Sequence, residues 1–260
     1  MFAITTRNYI RSRRYVPQMI IAWLKVRRQL YQTPGMLRYT TGIANLTDFY
    51  TCTLWDTEME MFAFMSSGAH RDMMWNFSRW SEAFWAMRWD ATADELGCWR
   101  MSNQTDEGRF ACIPNLSPDA SISKSNRDSP VISYLHKKGI IPESELSEAK
   151  PDMAASTAVL ARIPVISPAS VLRLRKITQP WCNGNPDLLR LSLSIGIKEC
   201  FLIVIWWPGA LEDARKLMAT LVHHFPRGWT MRFRGHDFEV GHWDDLRLRE
   251  IEPPGLVSII

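Results

Sequence analysis

The feature that most constrains this chain is that it matches itself. At a shift of 152 positions (201 − 49), Phe49, Trp55 and Glu60 fall on Phe201, Trp207 and Glu212, and Pro34 and Arg38 fall on Pro186 and Arg190. Met59/Leu211 and Met65/Leu217 are similar at the same shift. A second echo, WAMRW at 85–89 against WTMRF at 229–233, sits at a shift of 144 (229 − 85). The second copy is therefore about eight residues shorter before its last strand. An internal duplication limits the fold to one that two similar halves can build together.

Each half reads as the same string of elements. Phe2 to Ile10 suits a strand, Pro17 suits the first turn of a helix to about Tyr31, and Thr33-Pro34-Gly35 stops it. Met36 to Ile43 and Phe49 to Trp55 make a hairpin around Asn45–Asp48. Thr57 with Glu60 three residues on has capping-box spacing and opens a helix running towards Phe84, with Ser66-Ser67-Gly68 as a candidate break. Trp85 to Asp90 is a fourth strand. The order βαββαβ is the ferredoxin-like unit.

The second unit repeats that order. Its strands are Thr157–Ile166, Leu188–Ile195, Phe201–Trp207 and Trp229–Arg234, with helices from Ser167-Pro168 to about Thr178 and over Ala210–Phe225. Asp237 to Leu248 reads as a further edge strand. The units are placed at residues 1–95 and 154–260. Between them, residues 96–153 are rich in Asn, Ser, Asp, Pro and Glu and read as a connector or a lid, with a short helix near Val131–Lys138. A four-stranded sheet with helices on one face leaves its other face bare, and strand three is apolar on both faces. The expected fold class is therefore α+β: two ferredoxin-like units whose antiparallel sheets pack face to face as an intramolecular α/β barrel, a pseudo-dimer in one chain.

Composition narrows the function classes. Twelve Trp and 13 Met supply bulky, adaptable apolar surface, which suits a hydrophobic cavity or a Trp-heavy core. The five cysteines form no CxxC, so a reduced, cytoplasmic chain is expected rather than a disulfide framework. The longest apolar runs, MIIAWL and CFLIVIWW, are too short to span a bilayer. The first forty residues carry eight Lys/Arg and no acid, a patch suited to an anionic ligand, a membrane surface or a solvated helix face. No nucleic-acid motif accompanies it, and no nucleic-acid partner is expected. There is no GxGxxG, P-loop or GxSxG. His236 and His242 lack the spacing of a metal site, so no metal is expected.

His70 stands out among chemistry-bearing residues. On an unbroken helix it would lie about 20° from Met59 and Phe77 and about 40° from Met74, facing the sheet among apolar groups. There an imidazole can move a proton or ligate iron, or merely close a helix break. Trp55, Trp75, Trp80, Trp85 and Trp89 could line a pocket beside it or fill the core. Arg38 and Tyr39 on strand two could orient a substrate oxygen, although the recurrence of Arg38 as Arg190 argues for a structural role.

With TPGMLRY, FYTCTLWD and SSGAHRDM in place, the chain resembles the dimeric α/β-barrel superfamily, including its antibiotic-biosynthesis-monooxygenase-like and spheroidene-monooxygenase-like members. The resemblance covers residues 1–90 and, more weakly, 154–235. It implies a monooxygenase-type oxidoreductase without a cofactor, acting on an aromatic, polycyclic or polyene substrate between sheet and helices. His70 would be the acid/base, and Trp55, Tyr39, Arg38, Phe62, Met73 and Trp85 the substrate-binding wall. The same superfamily also implies a haem alternative, with His70 as axial ligand, and includes non-catalytic binding proteins. Self-association into a homo-oligomer is left open.

Overall fold

The computed structural model describes residues 1–99 and 156–241, apart from 165, 166, 183, 184, 186 and 198. The connector at 96–153, its short helix and the end of the 237–248 strand lie largely or wholly outside the described residues. The first unit runs β1 (Phe2–Ile10), α1 (Val16–Gln32), β2 (Met36–Asn45), β3 (Asp48–Trp55), α2 (Glu58–Met65), α3 (Gly68–Trp80) and β4 (Ser81–Gly97). The second runs β5 (Thr157–Pro164), α4 (Pro168–Cys182), β6 (Leu188–Ile195), β7 (Glu199–Trp206), α5 (Leu211–His224) and β8 (Trp229–Gly241).

All eight strands close into one antiparallel barrel in the order β1-β3-β2-β6-β7-β5-β8-β4, so each half contributes the same four-strand order. Closure brings the two edge strands of each half against those of the other. Two seams join the halves. β4 and β8 pair over a long stretch from Trp85↔Gly241 to Gly97↔Trp229, a ladder whose ends exchange roles between the units. β2 and β6 meet at a single pair, Ile43↔Ile195. There the backbones come so close that a Cβ on Gly42 would sit 2.7 Å from the Ser194 hydroxyl, and one on Gly196 would sit 2.5 Å from the Thr41 carbonyl. Glycine is required at that seam by lack of room.

Alternation sorts the side chains into three layers. The barrel interior is filled by Tyr50, Cys52, Leu54, Trp85, Met87, Trp89, Phe201, Ile203, Ile205, Trp229, Met231 and Phe233, among others. Outside it, α1–α3 cover the first sheet through Phe2, Val26, Leu30, Tyr39, Trp55, Met61 and Phe64. In the second unit α4 and α5 pack on Leu191, Leu193, Val204 and Trp206 through Leu174, Leu217 and Leu221.

Several expected boundaries move. The helix from Thr57 is two helices. Ser66 ends α2, and Gly68, at a φ of +53° that glycine adopts readily, restarts the chain as α3. The second helix stops at Trp80 rather than near Phe84, and β4 occupies 81–97 instead of 85–90. Residues 237–241 continue β8 along β4 and are not a separate strand. The duplication also slips in the third strand. Phe201 lies in the interior, as Tyr50 does, whereas Phe49 is on the opposite face from Tyr50. Trp55 matches Trp206 on the helix-covered face, not Trp207. The cause is the hairpin: Ile43 pairs with Phe49, but Ile195 pairs with Cys200, one residue sooner. Both units carry the same bulge before the recurrent arginine, between Met36 and Arg38 and between Leu188 and Arg190.

Candidate functional site

Of the expected capping box the structure shows the N-cap half, with the Thr57 hydroxyl also bonded to the Glu60 carboxylate. Thr57 Oγ1 accepts from the Glu60 amide at 3.4 Å and lies 2.7 Å from the Glu60 carboxylate. The break after α2 is held by a residue the sequence reading did not single out. Gln29 of α1 donates through Nε2 to the carbonyls of Phe64 (3.3 Å) and Ser67 (3.1 Å), and its Oε1 accepts from the His70 amide at 2.9 Å. One amide side chain thus bridges the end of α2 and the start of α3: it adds a second donor to the Phe64 and Ser67 carbonyls, which already accept from the Ser67 and Arg71 amides, and it accepts from the first-turn amide of His70. Only the helix break creates that demand, so periodicity alone could not reveal Gln29.

His70 sits against this clamp. Its ring packs on Phe64 with centroids 4.7 Å apart, and Phe64 in turn packs on Trp55 at 5.3 Å. Nδ1 lies 3.0 Å from the Met65 carbonyl. A carbonyl only accepts, so the neutral ring is assigned its proton on Nδ1 and an unprotonated Nε2. Packing around the ring of His70, a residue that keeps part of its surface in water, pulls the imidazole down to about 4 through desolvation, with the Met65 hydrogen bond working against the shift. The sign of the linkage follows. A histidine held at 6.5 when unfolded and about 4 when folded takes up its proton more readily unfolded, so stability is lost as pH falls from about 6.5 towards 4. We expect His70→Phe to remove part of that acid sensitivity, measured as the slope of unfolding free energy against pH; an unchanged slope would mean the imidazole is not desolvated.

The other expected site residues divide into two groups. Tyr39, Trp55, Phe62 and Met73 belong to the same helix–sheet layer as His70's neighbour Phe64. Tyr39 meets Tyr31 edge-on at 5.4 Å, and burial, with the Tyr31 contact, pushes its phenol up. Trp55 donates from Nε1 to Thr53 Oγ1 at 2.8 Å. Arg38 and Trp85 are elsewhere: both lie inside the barrel, separated from His70 by the sheet. The tryptophans disperse likewise. Trp85 and Trp89 are interior, Trp55 is in the layer, and Trp75 on α3 is half exposed. The phase argument that aimed His70 at Met59 fails because Met59 is on α2, beyond the break, and is solvent-exposed.

Inside the barrel is a polar constellation that was only half anticipated. Arg38 donates to Glu95 at 2.5 Å and lies 5.3 Å over the Trp229 ring, while Trp229 Nε1 donates to the same carboxylate at 2.6 Å. Arg190 lies 5.6 Å over Trp85, the mirror placement. Arg7 chelates Asp48, Nη2 to Oδ2 at 2.6 Å, and Arg162 donates to Glu199 at 2.5 Å. These two pairs are also counterparts. Arg7 faces Tyr50 as Arg162 faces Phe201, and Asp48 and Glu199 each begin the third strand of their unit. Burial opposes the Arg7 charge, but the Asp48 hydrogen bond and the charges of Tyr50, Asp48 and Tyr9 together outweigh it and hold the guanidinium above its ordinary range. Among the described residues no group of three His, Cys, Asp or Glu could hold a metal ion.

No protein-family model matches the sequence, and no curated sequence matches it significantly. Solved structures do share elements of its architecture. One, an antibiotic biosynthesis monooxygenase, is 10% identical, with 35% of this chain aligned to 99% of that one at a TM-score of 0.33. A second is SnoaB, a cofactor-independent oxygenase from Streptomyces nogalater in variant form, 8% identical over 41% of this chain and 97% of its own at 0.29. A third, from Lactobacillus acidophilus and provisionally titled a monooxygenase, aligns along both halves: 7% identity, 92% of this chain, 95% of that one, TM-score 0.33. The superpositions are loose, and the barrel and its layers rest on the chain's own strand pairing.

Proposed function

We propose that the chain is a monooxygenase-type oxidoreductase that works without a cofactor on a hydrophobic, electron-rich substrate in the helix–sheet layer of the first unit. The observation that carries this reading is His70: a desolvated imidazole, neutral at neutral pH, with Nδ1 committed to Met65 and Nε2 left as a base beside aromatic side chains. In this reading Nε2 removes a proton from an activated CH2 of the substrate. The resulting anion raises the proton affinity of the imidazole beside it, which offsets the low starting value. The anion gives one electron to dioxygen, the two radicals combine, and loss of water leaves C=O. One oxygen atom enters the product and the other leaves as water with the two hydrogens of the CH2. The protein supplies shape, water exclusion and proton handling. Trp55, Tyr39, Phe62 and Met73 form the substrate wall, whereas Arg38 and Trp85 keep the interior.

The haem alternative would use the same Nε2. Arg27 and Arg88, cations of this layer, are engaged by Tyr31 and Glu58, so porphyrin propionates would have to displace partners. With an anthrone-type substrate under air, His70→Ala is expected to lose at least about a hundredfold in kcat. The acid limb of the wild-type rate should lie near pH 4, where the imidazole protonates. Unchanged turnover in His70→Ala would remove His70 from the mechanism. A Soret band in protein reconstituted with haem would replace the cofactor-free reading, and binding without turnover would favour a non-catalytic ligand-binding protein.

A further inference from the structure

Helix α1 is apolar on two sides. Met19, Val26 and Leu30 face the sheet, as expected of a covering helix. Ile20, Ile21 and Leu24, however, are 43%, 58% and 49% exposed, and Tyr31 at the helix end is 40% exposed. On a 3.6-residue helix these four, with exposed Pro17, fall within an arc of about 100°. Arg28 is the one charged side chain inside this arc, and the other positions in it are apolar or aromatic.

The charges around the arc have one sign. Arg13 and Arg14, exposed in the short 3-10 turn Arg13–Tyr15, stand at its start, and Lys25 and Arg28 are exposed along it. Arg27 borders it, stacked 5.5 Å over Trp23 and 5.6 Å over Tyr31. The sequence holds no Asp or Glu before Asp48. On the neighbouring helix α3 the exposed charges are Arg71, Asp72 and Arg79, again net positive, and Trp75 is exposed beside them.

We propose that α1 is an interfacial helix that docks the protein, lying flat, on a bilayer surface carrying anionic phospholipids. Apolar side chains bordered by long cations are the composition of a helix that sinks its apolar arc to the headgroup boundary while Lys and Arg reach phosphates. Exposed Trp75 on the neighbouring helix α3 is a residue type enriched at membrane–water interfaces. Two other occupants fit less well. A second copy of this face would bring matching cations together with only Asp72, already 3.7 Å from Arg71, to meet them. A nucleic acid would neutralise the cations but leave Ile20, Ile21 and Leu24 in water. The docking is peripheral: among the described residues no helix is long and apolar enough to cross a membrane. It is independent of the reaction assigned to His70, whose ring packs on Phe64 of the helix–sheet layer.

Co-sedimentation of the full chain with vesicles tests this. Vesicles of phosphatidylcholine with about one-third phosphatidylglycerol should bind at least about tenfold more tightly than phosphatidylcholine alone, and added salt should weaken the binding. Ile21→Glu/Leu24→Glu and, separately, Lys25→Glu/Arg28→Glu should each lower it by about tenfold or more, with unfolding temperatures near wild type because all four residues are exposed. Absence of binding to anionic vesicles, or equal binding by Ile21→Glu/Leu24→Glu, overturns the proposal. So does a sedimentation-velocity dimer that only Ile21→Glu/Leu24→Glu dissolves, which would make the face a contact between copies.

Discussion

Glu199→Ala is expected to destabilise the protein by about 3–5 kcal/mol, the cost of leaving a buried charge without its partner. Glu199 accepts from Arg162 Nε at 2.5 Å and from Thr40 Oγ1 at 2.7 Å, and the Arg162 and Glu199 side chains are 10% and 16% exposed. Truncation strands a guanidinium and a hydroxyl together. The contrast is Lys216–Glu212 on α5, 64% and 88% exposed at 3.5 Å, where Lys216→Ala should cost under about 0.5 kcal/mol. Two further variants separate charge from packing. Arg162→Met/Glu199→Leu should recover most of the loss, since replacing both charges by apolar groups removes the desolvation that one charge alone suffers. Asp48→Ala should resemble Glu199→Ala, because Arg7–Asp48 is the counterpart pair in the first unit. Denaturant unfolding measures all four. A loss below about 1 kcal/mol in Glu199→Ala would mean that water reaches this end of the barrel and that the pair is effectively a surface one.

The same pairs mark where the sequence was legible and where it was not. The barrel could be anticipated because its cause is local and repeated: strand three is apolar on both faces, the capping box at Thr57 is explicit, and two sheets with bare faces need each other. The identity of Arg38 and Arg190 was visible for the same reason, since both follow a bulge that the duplication kept. Arg7 and Arg162 were not visible as a pair. They stand 155 positions apart (162 − 7), and the offset changes between strands because the loops between them differ in length. The single-residue slip in strand three has the same origin. A shorter hairpin turned a match of letters into a mismatch of faces, as any one-residue shift in a strand must. The helical phase of His70 went astray for another reason, the helix break that the sequence had offered as its alternative. That phase was counted through Ser66-Ser67-Gly68, and a break there resets it. The residue still reached an apolar layer, but by way of Gln29, whose amide is called on only once two helix ends meet. The division of the proposed site by the sheet could not be read either, because Arg38 and Tyr39 are adjacent in sequence and adjacent strand residues point to opposite faces.

The largest expected effect follows from that last point. A fragment of residues 1–99 retains β1–β4 and α1–α3 but exposes the interior face of its sheet, with Ala3, Tyr50, Cys52, Leu54, Trp85, Met87 and Trp89 no longer covered. Several hundred Å2 of apolar surface at about 25 cal/mol per Å2 amounts to on the order of 10 kcal/mol, comparable with the whole stability of a domain. The fragment would also lose the ring of Trp229 from Arg38 and open both seam strands, β2 and β4, to solvent. Unpaired strand edges beside an apolar face recruit another chain. The order β2-β3-β1-β4 is the same in both halves, so a second copy of the fragment can take the place of the second unit, with β2 meeting β2 and β4 meeting β4. We therefore expect residues 1–99 alone to sediment as a dimer or to aggregate, and the dimer to dissociate only with unfolding. Adding residues 156–241 as a separate chain should draw the fragment into a one-to-one complex, because only the native partner restores Trp229 against Glu95 and Arg38. A soluble, folded monomer of residues 1–99 would show that the first sheet does not need the second to cover it, and the account of the barrel as two interdependent halves would fall.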